Sequence, residues 1–151
     1  MPNSILINKP IKKFKKIINV AGDKSLSIRW VLFASLANGI STARNLLMSE
    51  DVLAALKAIN KLGIKSIVNK KQCKIYGKGF EGFKYKKNIR INAENSGTLG
   101  RLILGLLINS KYPLKLIGDK SLSKRDFKRV SDPLSKFGAK FKLRKNKNLP
   151  L

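Results

Sequence analysis

The sequence predicts an α/β (α+β) fold in which a strand-helix-strand-helix-strand unit occurs twice. Two nearly all-apolar segments, 25–38 and 96–109, begin 71 residues apart. Two further segments, each with a single apolar stripe, end at Gly63 and Gly138, which are 75 residues apart. Short apolar runs, typical of strands, precede and follow these four segments. Because both halves show the same order of elements, we interpret the chain as a repeat.

The elements of the first unit, residues 17–78, follow from the period of its apolar residues. Segment 25–38 is apolar almost all round, as in a buried helix. Apolar residues at helical spacing indicate a second helix, which ends at Gly63, a common residue at a helix stop. Its stripe consists of Val52, Leu56, Ile59 and Leu62. Strands are predicted at 17–20, 42–47, 64–68 and 73–76.

The second unit, residues 88–151, repeats this order with a buried helix at 96–109. The equivalent of the fourth strand would begin where the sequence ends, so we expect an incomplete copy of a longer protein. A strand predicted at 4–7 lies outside the repeat. The stripe of the second amphipathic helix consists of Phe127, Val130, Leu134 and Phe137. Strands are predicted at 89–92, 113–117 and 139–143.

Composition excludes several classes of protein and site. Of the 151 residues, 43% are hydrophobic, enough for one domain with a core and too many for a disordered basic tail. There is no histidine and a single cysteine, Cys73, so disulfide frameworks, thiol-rich zinc sites and histidine-based triads are excluded within the chain. Cys73 lies in a predicted strand, where we expect a buried structural thiol.

The longest apolar runs, 30–37 and 102–108, are too short to cross a membrane. Residues 1–16 contain no apolar core followed by a cleavage site, so no export is predicted. Together with the near absence of cysteine, this favours a reducing, cytoplasmic location.

The positive charge predicts anionic partners. Lysine and arginine number 33 against 8 acidic residues, a net charge of +25. A nucleic-acid-binding module is one interpretation, because a basic surface releases counterions when it contacts phosphates. Only seven of the cations are arginine, and the clusters at 12–16 and 84–87 contain one aromatic residue each, too few for a base-stacking surface. We therefore favour solvated faces and a cleft suited to phosphates and carboxylates.

Three polar loops interrupt the apolar framework, at 22–29, 92–98 and 118–125. The first two precede the buried helices, where free backbone N–H groups and the positive end of the helix dipole form an anion site. Taken singly, each loop is also explained by ordinary turns and caps, with Ser25 and Asn95 as N-caps. Three such loops at equivalent ends of a repeat favour a shared anionic ligand.

These loops carry a resemblance to a known family. GDKSLSIR, NSGTLGR and GDKSLSKR, each leading into a helix, resemble the N-terminal part of the 3-phosphoshikimate 1-carboxyvinyltransferase (EPSP synthase) family from about Lys9 onward. The resemblance implies the inside-out α/β barrel of the enolpyruvyl transferases, in which each domain is built from three βαβαββ units. It implies that residues 1–16 form an opening strand and crossover of the other domain. Residues 17–151 would then be a partial domain, incomplete here, in a longer protein.

The reaction implied for the full-length enzyme transfers the enolpyruvyl group of phosphoenolpyruvate to shikimate 3-phosphate, in the shikimate pathway of aromatic amino-acid and chorismate biosynthesis. By this resemblance, Lys24 contacts both substrates and is the catalytic residue within the chain. Ser25 and Arg29 bind shikimate 3-phosphate, and Gly97 and Arg125 bind phosphoenolpyruvate. A glycine at position 97 lets the backbone approach a ligand closely.

The resemblance also implies that Asn95 and Thr98 support the phosphoenolpyruvate loop, that neither cofactor nor metal is needed, and that the full-length enzyme is a monomer. The remaining acid and base groups are expected outside this chain, so the chain alone is expected to be inactive. Asp126 departs from the family, which usually has proline there, and places a carboxylate beside Arg125. A non-catalytic remnant is the remaining alternative.

Overall fold

The structure is a computed structural model that describes residues 6, 8–10, 13, 15–70, 72–145 and 147–150. In these ranges the chain forms four α-helices and five strands, with a 3₁₀ turn at Leu122–Lys124. The helices are α1 (Lys24–Leu36), α2 (Glu50–Lys61), α3 (Gly97–Leu106) and α4 (Lys128–Lys136). The strands are β1 (Asn38–Ala43), β2 (Lys65–Val68), β3 (Cys73–Lys78), β4 (Arg90–Asn92) and β5 (Lys115–Ile117).

The described strands form two sheets. The first has the order β1-β3-β2 and is antiparallel throughout, with Ile75 of β3 opposite Ser41 on one side and Ser66 on the other. The second consists of β4 and β5, which pair in parallel with Ile91 opposite Leu116. Parallel neighbours need a crossover connection, and α3 supplies it.

A single apolar core joins the two sheets and the helices. Helix α1 packs against α2, β3 and α3, and α3 packs against α4. The predicted stripe of α2 is confirmed, because all four of its residues are buried. The largest fully buried side chains are Phe127, Ile28, Leu32, Ile59, Leu62, Ile64, Ile75, Ile91, Leu99, Ile103, Leu116 and Leu122.

Helix α1 is not buried all round, which corrects the prediction for 25–38. Its inner side chains, such as Ile28 and Val31, are inaccessible to solvent, whereas Leu26 is 68% and Phe33 65% exposed. Helix α1 therefore has two apolar faces. The face with Ile28 and Val31 is covered by the core, and the face with Leu26 and Phe33 is not covered by any described residue. The helix also ends at Leu36, before the predicted limit.

Two predicted strands are not strands in the structure. Residues 17–20 make no ladder, and Ile17 is 96% exposed, because no neighbouring strand covers this segment within the described part of the chain. Residues 139–143 show the alternating burial of a strand but also lack a ladder. The strand predicted at 42–47 instead occupies Asn38–Ala43, where it pairs with all of β3.

Several smaller differences concern the ends of elements. The helix predicted at 96–109 ends at Leu106, and Phe137 of the last apolar stripe is exposed. The strand predicted at 4–7 lies, apart from Leu6, outside the described residues. Across the described ranges, we find no helix with the length and apolar character that a membrane crossing requires.

Cys73 is buried at the start of β3, as predicted, and burial raises the pKa of its thiol. We expect Cys73 to react with a thiol reagent at pH 8 at least about tenfold more slowly in the native chain than in the denatured chain.

As pH rises, the unfolded chain loses the Cys73 thiol proton before the folded chain does, so the free energy of unfolding should fall above about pH 8.5. Denaturant titrations of wild type and Cys73→Ala against pH measure this; equal slopes for both chains would contradict it.

Two glycines offer a matched test of the backbone. Gly63 has φ +87°, and a Cβ there would lie 2.5 Å from the carbonyl oxygen of Lys84. We expect Gly63→Ala to lower the free energy of unfolding by about 2 kcal/mol or more. Gly105 lies in α3 with nothing near its missing Cβ, so Gly105→Ala should raise that free energy by about 0.5 kcal/mol. Denaturant unfolding of both variants measures the difference, and effects of the same sign would contradict the geometry.

Candidate anion-binding site

Two of the three polar loops lie side by side because the strands before them pair in parallel. The carboxyl ends of β4 and β5 reach the same edge of the sheet, and loops 92–98 and 118–125 follow there. The backbone N–H of Asp119 donates to the carbonyl of Glu94 at 2.8 Å and joins the loops directly. Side chains from both loops therefore meet above the N-terminus of α3.

Arg125 of the third loop contacts Asn95 of the second. Its Nη2 donates to Oδ1 of Asn95 at 2.7 Å. The N-cap of α3 is Ser96, whose Oγ accepts from the backbone N–H of Leu99 at 3.3 Å. The interpretation of Asn95 as an N-cap is therefore wrong, because its side chain orients a guanidinium group instead.

Gly97, the first residue of α3, leaves space for two guanidinium groups. A Cβ built on it would lie 2.8 Å from Nη1 of Arg125 and 2.9 Å from Nη1 of Arg101. The two nitrogens consequently lie no more than 5.7 Å apart, the sum of these distances. Thr98 follows in the first turn of α3 and is half-buried. The absence of a side chain at position 97 thus allows two cations to lie close together at the start of a helix.

Arg101 is a site residue that the sequence analysis did not single out. Its guanidinium carbon lies 5.3 Å from the centre of the Phe127 ring, and its Nη2 donates to the backbone carbonyl of Asp126 at 3.3 Å. Its Nε is buried without a hydrogen-bond partner among the described residues. Burial lowers the pKa of Arg101, and the charges of Arg129 and Arg125 lower it further, against a smaller opposite effect of Asp126.

The sequence did contain a signal for Arg101. It stands four residues after Gly97 in the NSGTLGR motif, and residues four apart lie on the same face of a helix. Because Arg101 and Arg125 converge without a neutralising ion pair among the described residues, the arrangement is suited to an anion with several oxygens, such as a phosphate or a carboxylate.

The first polar loop forms a separate group on α1. Nζ of Lys24 lies 3.2 Å from Oδ2 of Asp51, the second residue of α2. Nη1 of Arg29 donates to the carbonyl of Ser25 at 3.1 Å. The N-cap is Asp23, which accepts from a backbone N–H at 2.7 Å, so Ser25 is not the cap.

We call Lys24, Ser25 and Arg29 the Lys24 group, and Asn95, Gly97, Arg101 and Arg125 the Arg125 group. Within the described ranges, no hydrogen bond or ion pair connects these two groups. The site therefore contains two sets of cations, one on α1 and one formed by Arg101 of α3 with Arg125 of the third loop, and α1 packs against α3.

Asp126 has a structural role that explains its place beside Arg125. Its Oδ1 accepts from the backbone N–H of Lys128 at 2.6 Å, where α4 begins. Backbone N–H groups in the first turn of a helix have no partner inside it, so this bond stabilises the start of α4. The carboxylate does not form an ion pair with Arg125.

The family model for EPSP synthase (3-phosphoshikimate 1-carboxyvinyltransferase) matches residues 8–151. The chain belongs to the EPSP synthase family. The resemblance inferred from the three loop motifs is thereby confirmed.

Individual relatives agree with the family model. The 3-phosphoshikimate 1-carboxyvinyltransferase of Streptococcus sanguinis is 41% identical over 93% of this chain, and that of Ruthia magnifica is 41% identical over 98% of it. The solved EPSP synthase from Acinetobacter baumannii matches 88% of the chain with a TM-score of 0.81 at 34% identity, which confirms the predicted fold. The chain spans about a third of the length of these relatives, 33%, 34% and 30% respectively.

The carboxylate of Asp126 offers a test of the anion site. Asp126→Asn keeps an oxygen for the Lys128 N–H and removes one negative charge beside Arg125 and Arg101. We expect it to bind inorganic phosphate about two- to threefold more tightly at low ionic strength, an advantage that salt removes. NMR titration with phosphate measures the affinity.

Asp126→Ala serves as the matched control, since it removes both the charge and the hydrogen bond to the Lys128 N–H and should lower the free energy of unfolding by about 1 kcal/mol. Equal phosphate affinity of wild type and Asp126→Asn at low salt would show that the anion does not bind near this carboxylate.

Proposed function

We propose that the protein containing this sequence is a 3-phosphoshikimate 1-carboxyvinyltransferase, which transfers the enolpyruvyl group of phosphoenolpyruvate to shikimate 3-phosphate and releases phosphate. The observation that carries the proposal is the family match across residues 8–151, which includes all three polar loops. The paired guanidinium groups at Gly97 support it, because both substrates are multiply charged anions.

In this proposal the Arg125 group holds phosphoenolpyruvate. Arg125 presents a planar fork of donors to a carboxylate or phosphate, and Asn95 fixes the orientation of that fork. Gly97 allows the ligand to approach the free N–H groups at the start of α3, and Thr98 lies in the same turn. Arg101 adds a second positive charge from within the protein.

The Lys24 group holds shikimate 3-phosphate. Arg29 and Ser25 are already hydrogen-bonded to each other on α1. The exposed ammonium group of Lys24 lies where it can contact both anionic substrates. Asp51 is then the counter-ion of Lys24 while no substrate is bound. A substrate anion that displaces Asp51 binds a Lys24 side chain that is already oriented at the site.

The reaction also needs a proton on the enol methylene carbon and a base for the attacking hydroxyl. The chain has no histidine, and three of its carboxylates, Asp23, Asp119 and Asp126, accept bonds from backbone N–H groups. We place the acid and base groups in the remainder of the enzyme.

The same proposal assigns residues 17–78 and 88–151 to two repeat units of one domain and residues 1–16 to the other. It also takes the full-length enzyme to be a monomeric, cytoplasmic protein that needs no cofactor. The resemblance of the three loop motifs to the family supports these assignments.

Binding without turnover is the expected result for the isolated chain. Arg125→Ala should weaken phosphoenolpyruvate binding by about tenfold or more, since hydrogen bonds to a charged group are worth about 1.5–3 kcal/mol. The matched control is Arg90→Ala, which removes the same charge from the opposite end of β4 and should change affinity less than about twofold. Isothermal titration of both variants measures this, and equal losses would contradict the placement of the ligand.

Turnover is tested separately with both substrates present. Phosphate release by the isolated chain should not exceed that of Lys24→Ala, because closure of a two-domain site is missing. Release clearly above this control would contradict the assignment of the acid and base groups to the rest of the enzyme.

A further inference from the structure

A tight turn near the end of the described chain contacts the loop that carries Arg125. The backbone N–H of Arg144 donates to the carbonyl of Asn148 at 3.0 Å, and the N–H of Asn148 donates back to Arg144 at 2.9 Å. The next residue, Leu149, is fully buried in the core. Lys147 adds a further bond, since its carbonyl accepts from the N–H of Phe127 at 2.8 Å. The turn is thus held firmly against the third polar loop.

The side chain of Asn148 lies directly beneath Arg125. Its Nδ2 donates to the carbonyl of Lys124 at 3.0 Å and to the carbonyl of Arg125 at 3.2 Å. These carbonyls belong to the last residue of the 3₁₀ turn at Leu122–Lys124 and to the residue after it, Arg125, which is extended with φ −75° and ψ 151°. Carbonyls at the end of a helical turn lack a partner within it, and one amide group here serves two of them.

We propose that Asn148 is a positioning residue for Arg125. By bonding the carbonyls on both sides of the Arg125 nitrogen and Cα, it fixes the direction in which that side chain leaves the backbone, toward Asn95 and Gly97. The proposal deepens the proposed function and rests on it for the identity of the anion that Arg125 binds.

Arg125 needs such a restraint because its surroundings repel it. Its Nη1 lies within 5.7 Å of Nη1 of Arg101, the sum of the two distances to the Cβ position of Gly97, and like charges at this separation repel. Arg125 is exposed, so without restraint its side chain would turn toward solvent.

The turn supplies no counter-charge to Arg125. It contributes three cations, Arg144, Lys145 and Lys147, to an open cleft of about 580 Å³, to which the third loop adds Lys120 and Lys124. Asn148 therefore acts on Arg125 through its two neutral hydrogen bonds rather than through charge.

The test compares Asn148→Ala and Asn148→Asp with a matched control in the same turn. Aspartate keeps the shape of asparagine but cannot donate, so both substitutions should weaken phosphoenolpyruvate binding by about five- to tenfold. Lys147→Ala removes a charge from the turn while keeping the backbone carbonyl that binds Phe127, and it should change affinity less than about twofold. Wild-type affinity in Asn148→Asp would overturn the proposal.

A double-mutant cycle separates positioning from general stability. In the Arg125→Ala background, Asn148→Ala should cause no further loss of affinity, because its effect passes through Arg125. Additive losses would overturn the proposal. Denaturant unfolding of each variant verifies that the compared chains are folded.

A readout that does not depend on ligand distinguishes failure of this proposal from failure of the proposed function. The NMR signals of the Arg125 guanidinium should shift in Asn148→Ala and remain in place in Lys147→Ala. If the wild-type chain does not bind phosphoenolpyruvate but the Arg125 signals shift in Asn148→Ala, the positioning role is supported and phosphoenolpyruvate is rejected as the ligand.

In the wild-type chain, the Asn148 side-chain amide protons should also exchange more slowly than those of Asn109, which is exposed in the turn after α3. Equal exchange rates for the two asparagines, or unchanged Arg125 signals in Asn148→Ala, would overturn the positioning role.

Discussion

The parallel pairing of β4 with β5 is the constraint on which the site depends. Each strand contributes only three residues, yet Ile91 and Leu116 are fully buried, so the pair is stabilised by the core rather than by a long ladder. Parallel strands end at the same edge, and this places loops 92–98 and 118–125 in contact. Had the strands been antiparallel, the loops would lie at opposite edges and Arg125 could not reach Asn95.

A second consequence of this arrangement is that the site collects charge without neutralising it. Two carboxylates that flank Arg125 in sequence accept backbone N–H bonds, Asp119 at the 3₁₀ turn and Asp126 at α4, so their positions are set by local structure. Arg101 is partly desolvated on Phe127. Electrostatic stabilisation is strongest where donors are held before the ligand arrives, and here both guanidinium groups are held in that way.

Much of the architecture could be predicted from sequence because apolar spacing and glycine stops report local structure. All four helices were found, and the motifs identified the family. Burial was harder to predict, since an apolar face such as Leu26 and Phe33 has the same pattern whether or not a neighbour covers it. The predictions of strands at 17–20 and 139–143 were wrong because a strand needs a neighbouring strand to pair with, and neither segment has one among the described residues. Contacts between distant segments, such as those of Asn148, leave no periodic trace.

The crowding of Arg101 and Arg125 around Gly97 also affects the energetics of the whole chain. Two uncompensated cations near one another raise the free energy of the folded state, and an unfolded chain relieves that repulsion by separating them. A bound anion removes the same penalty, so resistance to unfolding becomes a function of anion concentration by mass action. The same crowding that suits this surface to a multiply charged anion thus makes the empty chain the less stable form, and the one more exposed to unfolding.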